Sequence, residues 1–304
     1  MPRPNLFIIG AVRSGTTYLY QVLRSHPDVF MSPVKEPRHF ITEISRTHDE
    51  VDTPNPISAK KKSNSNFIHE CHIVNRNEYF RLFKNASSRY IGEASPQYLT
   101  YPSSLKTISE VCSDPKIIVS LRNPALRAFS HCSGDKAKGL FKKDPSERLT
   151  QDLLMSQNTS IDKSKYIKYS VYYPGLRAAI DIFGEENVLV LIFERWVSNK
   201  ERLRRGLTSF LDVKETGFNL EVKTENKGFT ARFKNLNYIV NRLGMKGIIR
   251  SYVPNKIVRI AKKLYYKERT KNINIDLYNS INNFLEKDTA AVESAINSSI
   301  PEWK

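Results

Sequence analysis

The sequence predicts an α/β fold: a parallel β-sheet flanked by helices, built as a single domain over residues 1–304. Three observations lead there. Leu6-Phe7-Ile8-Ile9, Lys116-Ile117-Ile118-Val119-Ser120-Leu121 and Asn187-Val188-Leu189-Val190-Leu191-Ile192 are short apolar runs of the kind that form strands buried on both faces. Segments with helical spacing separate them, as in chains that build parallel sheets. The first run ends at Gly10 and passes through a short loop into a helix.

Taken in order, the strand at Leu6–Ile9 is followed by a helix from Thr16 to Ser25, with Tyr18, Leu19, Val22 and Leu23 at helical spacing. Asp28-Val29-Phe30-Met31 is a candidate short strand. Ser45 to Asn66 is polar, contains Lys60-Lys61-Lys62 and reads as a loop or insertion. A short helix is expected over Asn77–Asn85, and a strand over Arg89–Gly92 that runs into Glu93-Ala94-Ser95-Pro96. Leu105 to Val111 is expected to be helical. The strand at Lys116–Leu121 leads into Arg122-Asn123-Pro124, with a helix from about Ala125. Gly134 to Ser160 is polar and reads as irregular or loosely helical. Pro174 to Phe183 is an amphipathic helix with proline in its first turn. Lys200 to Leu211 and a long segment from Leu277 to Ile296 are further helices. In a parallel sheet of this kind, ligands bind at the carboxyl ends of the strands.

Lys and Arg outnumber Asp and Glu by 48 to 31, a formal charge of +17. That excess points to anionic partners without choosing among nucleic acid, membrane, acidic polysaccharide and phosphorylated ligand. Three cysteines, Cys71, Cys112 and Cys132, make no disulfide framework and suit a reducing compartment. His69-Glu70-Cys71-His72 has metal-ligand residue types, but no second cluster completes a tetrahedral site. A surface stretch is the simpler reading, and no metal is expected. The N-terminus lacks a charged leader with a long apolar core. No window reaches the ~18–20 apolar residues of a membrane span. A cytoplasmic enzyme of prokaryotic origin is expected.

The loop carries the chemistry. Gly10, four residues, Gly15, then Thr16 and Thr17 reproduces the spacing of a nucleotide-phosphate loop, G-x-x-x-x-G-K-[ST]. The fold is thus P-loop-like. Thr16 stands where that motif has lysine, and without the lysine NTP hydrolysis is disfavoured. The glycines still let the backbone approach an anion, and helix N-terminal N–H groups point at it. Arg13, inside the loop, supplies positive charge, and Ser14, Thr16 and Thr17 supply hydroxyls. Arg122, at a strand end, and Ser130, eight residues on and about two helical turns away, are a second candidate phosphate grip. On these residues alone, an enzyme that binds a phosphate-bearing nucleotide, such as a P-loop nucleotide kinase or NTPase, and a non-enzymatic basic protein that binds nucleic acid both stay open.

The two segments together resemble the family of sulfotransferases that use 3′-phosphoadenosine 5′-phosphosulfate (PAPS). Ile9–Thr17 resembles its 5′-phosphosulfate loop, and Leu121-Arg122-Asn123-Pro124 through Ser130 its 3′-phosphate segment. Leu23–Val29 and Lys35-Glu36-Pro37-Arg38-His39-Phe40 are similar to the bacterial and heparan-sulfate-type branch. Weaker likeness runs through Gly92–Leu99, Tyr172–Glu194 and the end of the chain near Trp303. The resemblance implies PAPS as donor, no metal requirement and no nucleic-acid partner. It implies that Arg13, Ser14, Gly15, Thr16 and Thr17 hold the phosphosulfate, with Arg13 also assisting transfer. Arg122 and Ser130 would hold the 3′-phosphate. Lys227, Gly228 and Arg232 would belong to a late loop over the donor.

For the acceptor, the resemblance makes Glu36 the general base, with Lys35 beside it to offset negative charge. His39 is a second candidate base, since histidine titrates near neutrality. Glu93 is a candidate for acceptor binding or positioning. The related pattern often has lysine immediately after this glutamate; Ala94 stands there instead, which weakens any inference to a heparan-like acceptor. Tyr98 and Tyr172 are candidates to stack on an acceptor, with burial in the core as the plainer reading. A saccharide is the expected acceptor.

Overall fold

The computed structural model describes residues 1–42, 68–69, 72–222, 229–231, 266–268 and 273–304. The polar stretch around 45–66 and the residues Cys71, Lys227, Gly228 and Arg232 lie outside them. By contacts the chain divides into two compact units. The first comprises Met1–Asn123, Val171–Lys223 and Lys287–Lys304; the second comprises Pro124–Ser170 and Thr224–Glu286.

The first unit is built on five parallel strands: β1 (Leu6–Gly10), β2 (Val29–Met31), β5 (Tyr90–Ala94), β6 (Lys116–Leu121) and β7 (Val188–Ile192). Their order in the sheet is β2-β5-β1-β6-β7. Leu6 pairs with both Gly92 and Lys116, which puts β1 at the centre. Every residue of β1 is buried, as an apolar run without polar alternation requires. Two further short strands, β3 (Val34–Lys35) and β4 (Ile68–His69), pair with each other in parallel.

Helices cover both faces. Leu19, Val22 and Leu23 of α1 (Thr16–Arg24) pack against Leu6 and Ile8, together with Leu203, Leu207 and Leu211 of the helix Lys200–Leu211. Leu176, Ala179 and Phe183 of the helix Tyr173–Phe183 pack on the other face with Phe7, Ile9, Ile117 and Val119. Alternate residues of β1 thus serve two cores, the outcome expected of a strand buried on both sides. Between them in chain order lie α2 (Arg76–Arg81) and α3 (Ser103–Val111).

The second unit contains α4 (Pro124–Lys138) and α5 (Pro145–Asn158). Of the two readings of 134–160, irregular or loosely helical, the structure shows the helical one, with a break between Lys138 and Pro145. Asp144 caps α5 by accepting from Ser146 N at 2.9 Å, and Pro145 occupies the first turn. Leu149 and Leu153 bury one face, while Asp152 and Ser156 on that face are buried too. Asp152 accepts the backbone N–H groups of Lys165, Tyr166 and Ile167 at 2.7–2.9 Å and so ties the next segment to the helix. This unit also contains an antiparallel pair, β8 (Phe229–Ala231) and β9 (Tyr266–Glu268).

After α6 (Tyr173–Phe183), β7 leads into α7 (Phe193–Ser198) and α8 (Lys200–Leu211). The single helix expected over 277–296 is two, α9 (Ile275–Phe284) and α10 (Glu286–Ala295), divided at the buried Leu285. No helix among the described residues is long and apolar enough to cross a membrane.

Candidate active site

The candidate residues of the first unit lie at or just beyond the carboxyl ends of the sheet strands, in the loops there and in the elements those loops lead into. The loop after β1 is tied to the strand beside it. Ala11 N donates to Ser120 O at 2.6 Å, and Ser120 Oγ donates to Ser14 O at 2.7 Å. Ser14 N turns back to Ala11 O at 3.1 Å. Gly15 caps α1 at φ 80°, in the left-handed region that favours glycine. A Cβ there would also lie 2.5 Å from the indole of Trp196. Trp196 stacks on Tyr18 at 5.5 Å between ring centroids and donates from Nε1 to Ser120 Oγ at 3.1 Å. The loop is thus held in one shape, with the N-terminus of α1 behind it and Arg13 at φ 68°.

Arg122 leaves the end of β6 and returns to the same loop. Its Nη1 donates to Arg13 O at 3.1 Å, and its guanidinium lies 4.8 Å from the centre of the Phe193 ring. Burial lowers its pKa from the usual arginine range, and the Glu194 carboxylate opposes that shift. Among the described residues, the buried Ser14 Oγ and Arg122 Nε have no hydrogen-bond partner. A hydroxyl and a guanidinium N–H turned inward at a helix N-terminus suit a phosphate or sulfate oxygen.

The segment behind Arg122 is fastened to the end of the chain. Tyr172 Oη donates to Arg122 O at 2.8 Å. Asn123 N donates to Glu194 Oε1 at 3.0 Å, and Trp303 Nε1 donates to Glu194 Oε2 at 3.1 Å. Tyr172 is fully buried, so the core reading of this residue replaces the stacking one. Ser130 lies half-buried on α4 in the second unit.

Lys35, Glu36, Arg38 and Gln97 form a second cluster. Glu36 follows β3 with φ 63°, and its N donates to Ala94 O at 2.8 Å at the end of β5. Lys35 Nζ meets Glu36 Oε1 at 2.5 Å. Arg38 Nη2 and Gln97 Nε2 meet Oε2 at 3.2 and 3.0 Å. Lys35 is fully buried and Glu36 nearly so. Two cations and an amide therefore surround one carboxylate that few solvent molecules can reach.

Glu93 lies behind this cluster, fully buried. It accepts hydroxyl hydrogen bonds from Tyr98 at 2.7 Å, Ser95 at 2.8 Å and Tyr79 at 3.3 Å. Burial raises its pKa to about 7, against the pull of those three donors. Ser95 Oγ also accepts from Arg38 N at 3.0 Å, so Glu93 braces the Glu36–Arg38 turn. Tyr98 is fully buried with its hydroxyl on Glu93, so of its two readings the core one holds and the stacking one does not. His39 Nδ1 donates to Ile73 O at 2.8 Å, and its ring stacks on Tyr79 at 4.2 Å. Burial lowers its pKa, which favours the neutral ring.

The structure therefore gathers Arg13, Ser14, Gly15, Thr16, Thr17 and Arg122 into one group, and Lys35, Glu36 and Glu93 into another. Sequence reasoning missed Gln97 and Trp196. Gln97 lay inside a segment already singled out, but nothing in the sequence paired it with Glu36. Among the described residues, no group of histidine, cysteine, aspartate and glutamate has the arrangement of a metal site.

The sequence profile of the sulfotransferase family matches residues 4–216. This chain belongs to that family. Over 255 residues it is 25% identical to carbohydrate sulfotransferase 15 of Homo sapiens, a match covering 69% of this chain and 44% of that protein. Over 240 residues it is 22% identical to bifunctional heparan sulfate N-deacetylase/N-sulfotransferase 1 of Caenorhabditis briggsae, covering 76% of this chain and 25% of that protein. The chain thus spans less than half the length of either relative. A sulfotransferase from Alicyclobacillus acidocaldarius shares the fold, with a TM-score of 0.67 and 23% identity over 100% of this chain and 99% of that one.

Proposed function

We propose that this sulfotransferase moves a sulfuryl group from PAPS to a hydroxyl or amine of a saccharide. The observation that carries the reading is a pair of buried atoms without a hydrogen-bond partner among the described residues, Ser14 Oγ on the β1 loop and Arg122 Nε just past β6, with Arg122 tied to that loop at Arg13 O beside the N-terminus of α1. Backbone N–H groups at that terminus, with Arg13, Thr16 and Thr17, would hold the 5′-phosphosulfate. Arg122 would hold the 3′-phosphate. Ser130 keeps its assignment to the same phosphate from the sequence resemblance, and so do Lys227, Gly228 and Arg232 as donor contacts.

The acceptor oxygen or nitrogen attacks sulfur in line with the bond to the 5′-phosphate oxygen. That bond breaks, 3′-phosphoadenosine 5′-phosphate (PAP) leaves, and the acceptor's proton goes to Glu36. Positioning and charge stabilisation supply most of the rate in transfers of this type, and a placed base adds about 10²–10⁴-fold. Lys35 and Arg38 fix the carboxylate, and Arg13 offsets charge on the sulfuryl oxygens. His39 fits the role of base less well, because Nδ1 is committed to Ile73 and the ring is stacked. The saccharide reading rests on the names of the relatives and on the basic charge of the chain. We infer a cytoplasmic setting from the sequence.

The test is transfer from sulfur-35-labelled PAPS to a glycan panel, with PAP binding followed by calorimetry. Transfer to a glycan together with saturable PAP binding is expected. Absence of both transfer and PAP binding overturns the reading.

A further inference from the structure

Gln97 is nine-tenths buried and sits in the short turn after β5, where it faces Glu36. Its amide has two unlike ends, and the structure distinguishes them. A carboxylate only accepts hydrogen bonds, so the end 3.0 Å from Glu36 Oε2 is the NH₂ group. The carbonyl oxygen Oε1 then points away from the carboxylate. Among the described residues it has no hydrogen-bond donor, although it is buried. A buried acceptor left unmade is costly, and such costs concentrate where a ligand completes the bond.

From this juxtaposition we propose that Gln97 is a specificity residue that accepts a hydrogen bond from a second donor on the acceptor, next to the group being sulfated. The proposal rests on the reading of Glu36 as base. If Glu36 takes the proton from one hydroxyl or amine, Gln97 Oε1 is an acceptor close by, at the other end of the amide whose NH₂ group holds Glu36 Oε2. The substrate class that satisfies both is a vicinal diol or a vicinal amino alcohol, the pattern of a pyranose ring. A lone phenol or a simple alcohol offers one donor and leaves Oε1 unpaired. Because its other end holds Glu36, Gln97 ties recognition of the neighbour to placement of the base.

Such a site discriminates strongly, since the analogue lacking the donor strands a buried polar group. The experiment compares pyranosides bearing an intact vicinal diol, as methyl glycosides and as tetrasaccharides, with their single-deoxy counterparts, using labelled PAPS. Wild-type enzyme is expected to favour the diol in kcat/KM by about 10–100-fold, the cost of leaving one buried acceptor unpaired. Gln97→Met, close in size but without hydrogen-bonding capacity, is expected to reduce that ratio to below about three-fold, with PAP affinity unchanged by calorimetry. An undiminished ratio in Gln97→Met overturns the proposal. So does a wild-type enzyme that takes both acceptors equally, a result that does not depend on the variant folding. If wild-type binds PAP but sulfates no pyranoside, the diol assignment fails while the donor reading stands. If it binds no PAP, the underlying reading fails first.

Discussion

Gly15 and Trp196 are in van der Waals contact across more than half the chain: a Cβ built on Gly15 would come within 2.5 Å of the indole. Trp196 is held by Ser120 Oγ and by stacking on Tyr18, so it has little room to retreat. Gly15 also needs φ 80°. Gly15→Ala therefore meets both a backbone strain of about 1–3 kcal/mol and a steric one. The variant is expected to melt several degrees lower and to bind PAP at least about tenfold more weakly, because the loop must move to admit the methyl group. Calorimetry with PAP and a thermal melt check both. Unchanged PAP affinity would mean that this loop does not hold the donor.

Glu93 predicts a pH dependence of stability. Its folded pKa is raised to about 7 from an ordinary value of 4.5. Between those values the folded chain holds a proton that the unfolded chain has lost. The contribution of this group is therefore fully present below pH 4.5 and is lost as pH rises through about 7. Glu93→Gln removes the titration while keeping the shape. Wild-type stability minus variant stability, from urea unfolding at a series of pH values, is expected to fall across that window and level off above it. A flat difference would contradict a buried, protonatable Glu93.

The strands were legible because β1 and β6 are buried on both sides and β7, half-buried over Val188–Val190 at the sheet edge, is still an unbroken apolar run, a pattern that fits a strand of a parallel sheet covered by helices. The loop was legible because an anion site at a helix N-terminus needs its glycines at fixed spacing. What escaped was tertiary. The contact of Trp196 with Gly15 and of Gln97 with Glu36 depends on which loops meet at the sheet edge, and no local spacing encodes that. The helix at Pro145–Asn158 was obscured by Asp152 and Ser156, polar residues buried on its inner face, which thin the apolar stripe to Leu149 and Leu153. Its cap, Asp144-Pro145, was in plain view. The break at Leu285 carries no proline or glycine to announce it.

Asp152 predicts a purely structural effect. Its carboxylate satisfies three consecutive backbone N–H groups, at Lys165, Tyr166 and Ile167, two of them in buried residues. Asp152→Ala strands all three donors and is expected to cost roughly 3–5 kcal/mol in urea unfolding. Asp152→Asn keeps one acceptor oxygen and turns the other into a donor, so an intermediate loss is expected. Faster amide exchange at 165–167 in both variants would locate the damage. Full stability in Asp152→Ala would show that these amides find other partners.

Glu36 and Arg122 divide the labour of the site, and two variants separate them. Glu36→Gln keeps the shape and the contacts to Arg38 and Gln97 but removes the base. Its kcat is expected to fall about 10²–10⁴-fold, with PAP affinity within about twofold of wild type. Arg122→Ala removes a half-buried cation that touches the donor loop at Arg13 O. It is expected to weaken PAP binding by roughly 1.5–3 kcal/mol, or about 10–150-fold, as the loss of a charge-assisted contact does. Some of that loss will come from loosening the loop itself, because Arg122 also braces it. Arg122→Lys distinguishes the two effects: it keeps the charge but has no planar fork to reach Arg13 O and a phosphate together. Partial recovery of PAP affinity in Arg122→Lys would assign the loss to charge, and no recovery would assign it to geometry. Equal loss of donor affinity in Glu36→Gln and Arg122→Ala would refute the division, since a base that meets only the acceptor has no reason to weaken the donor.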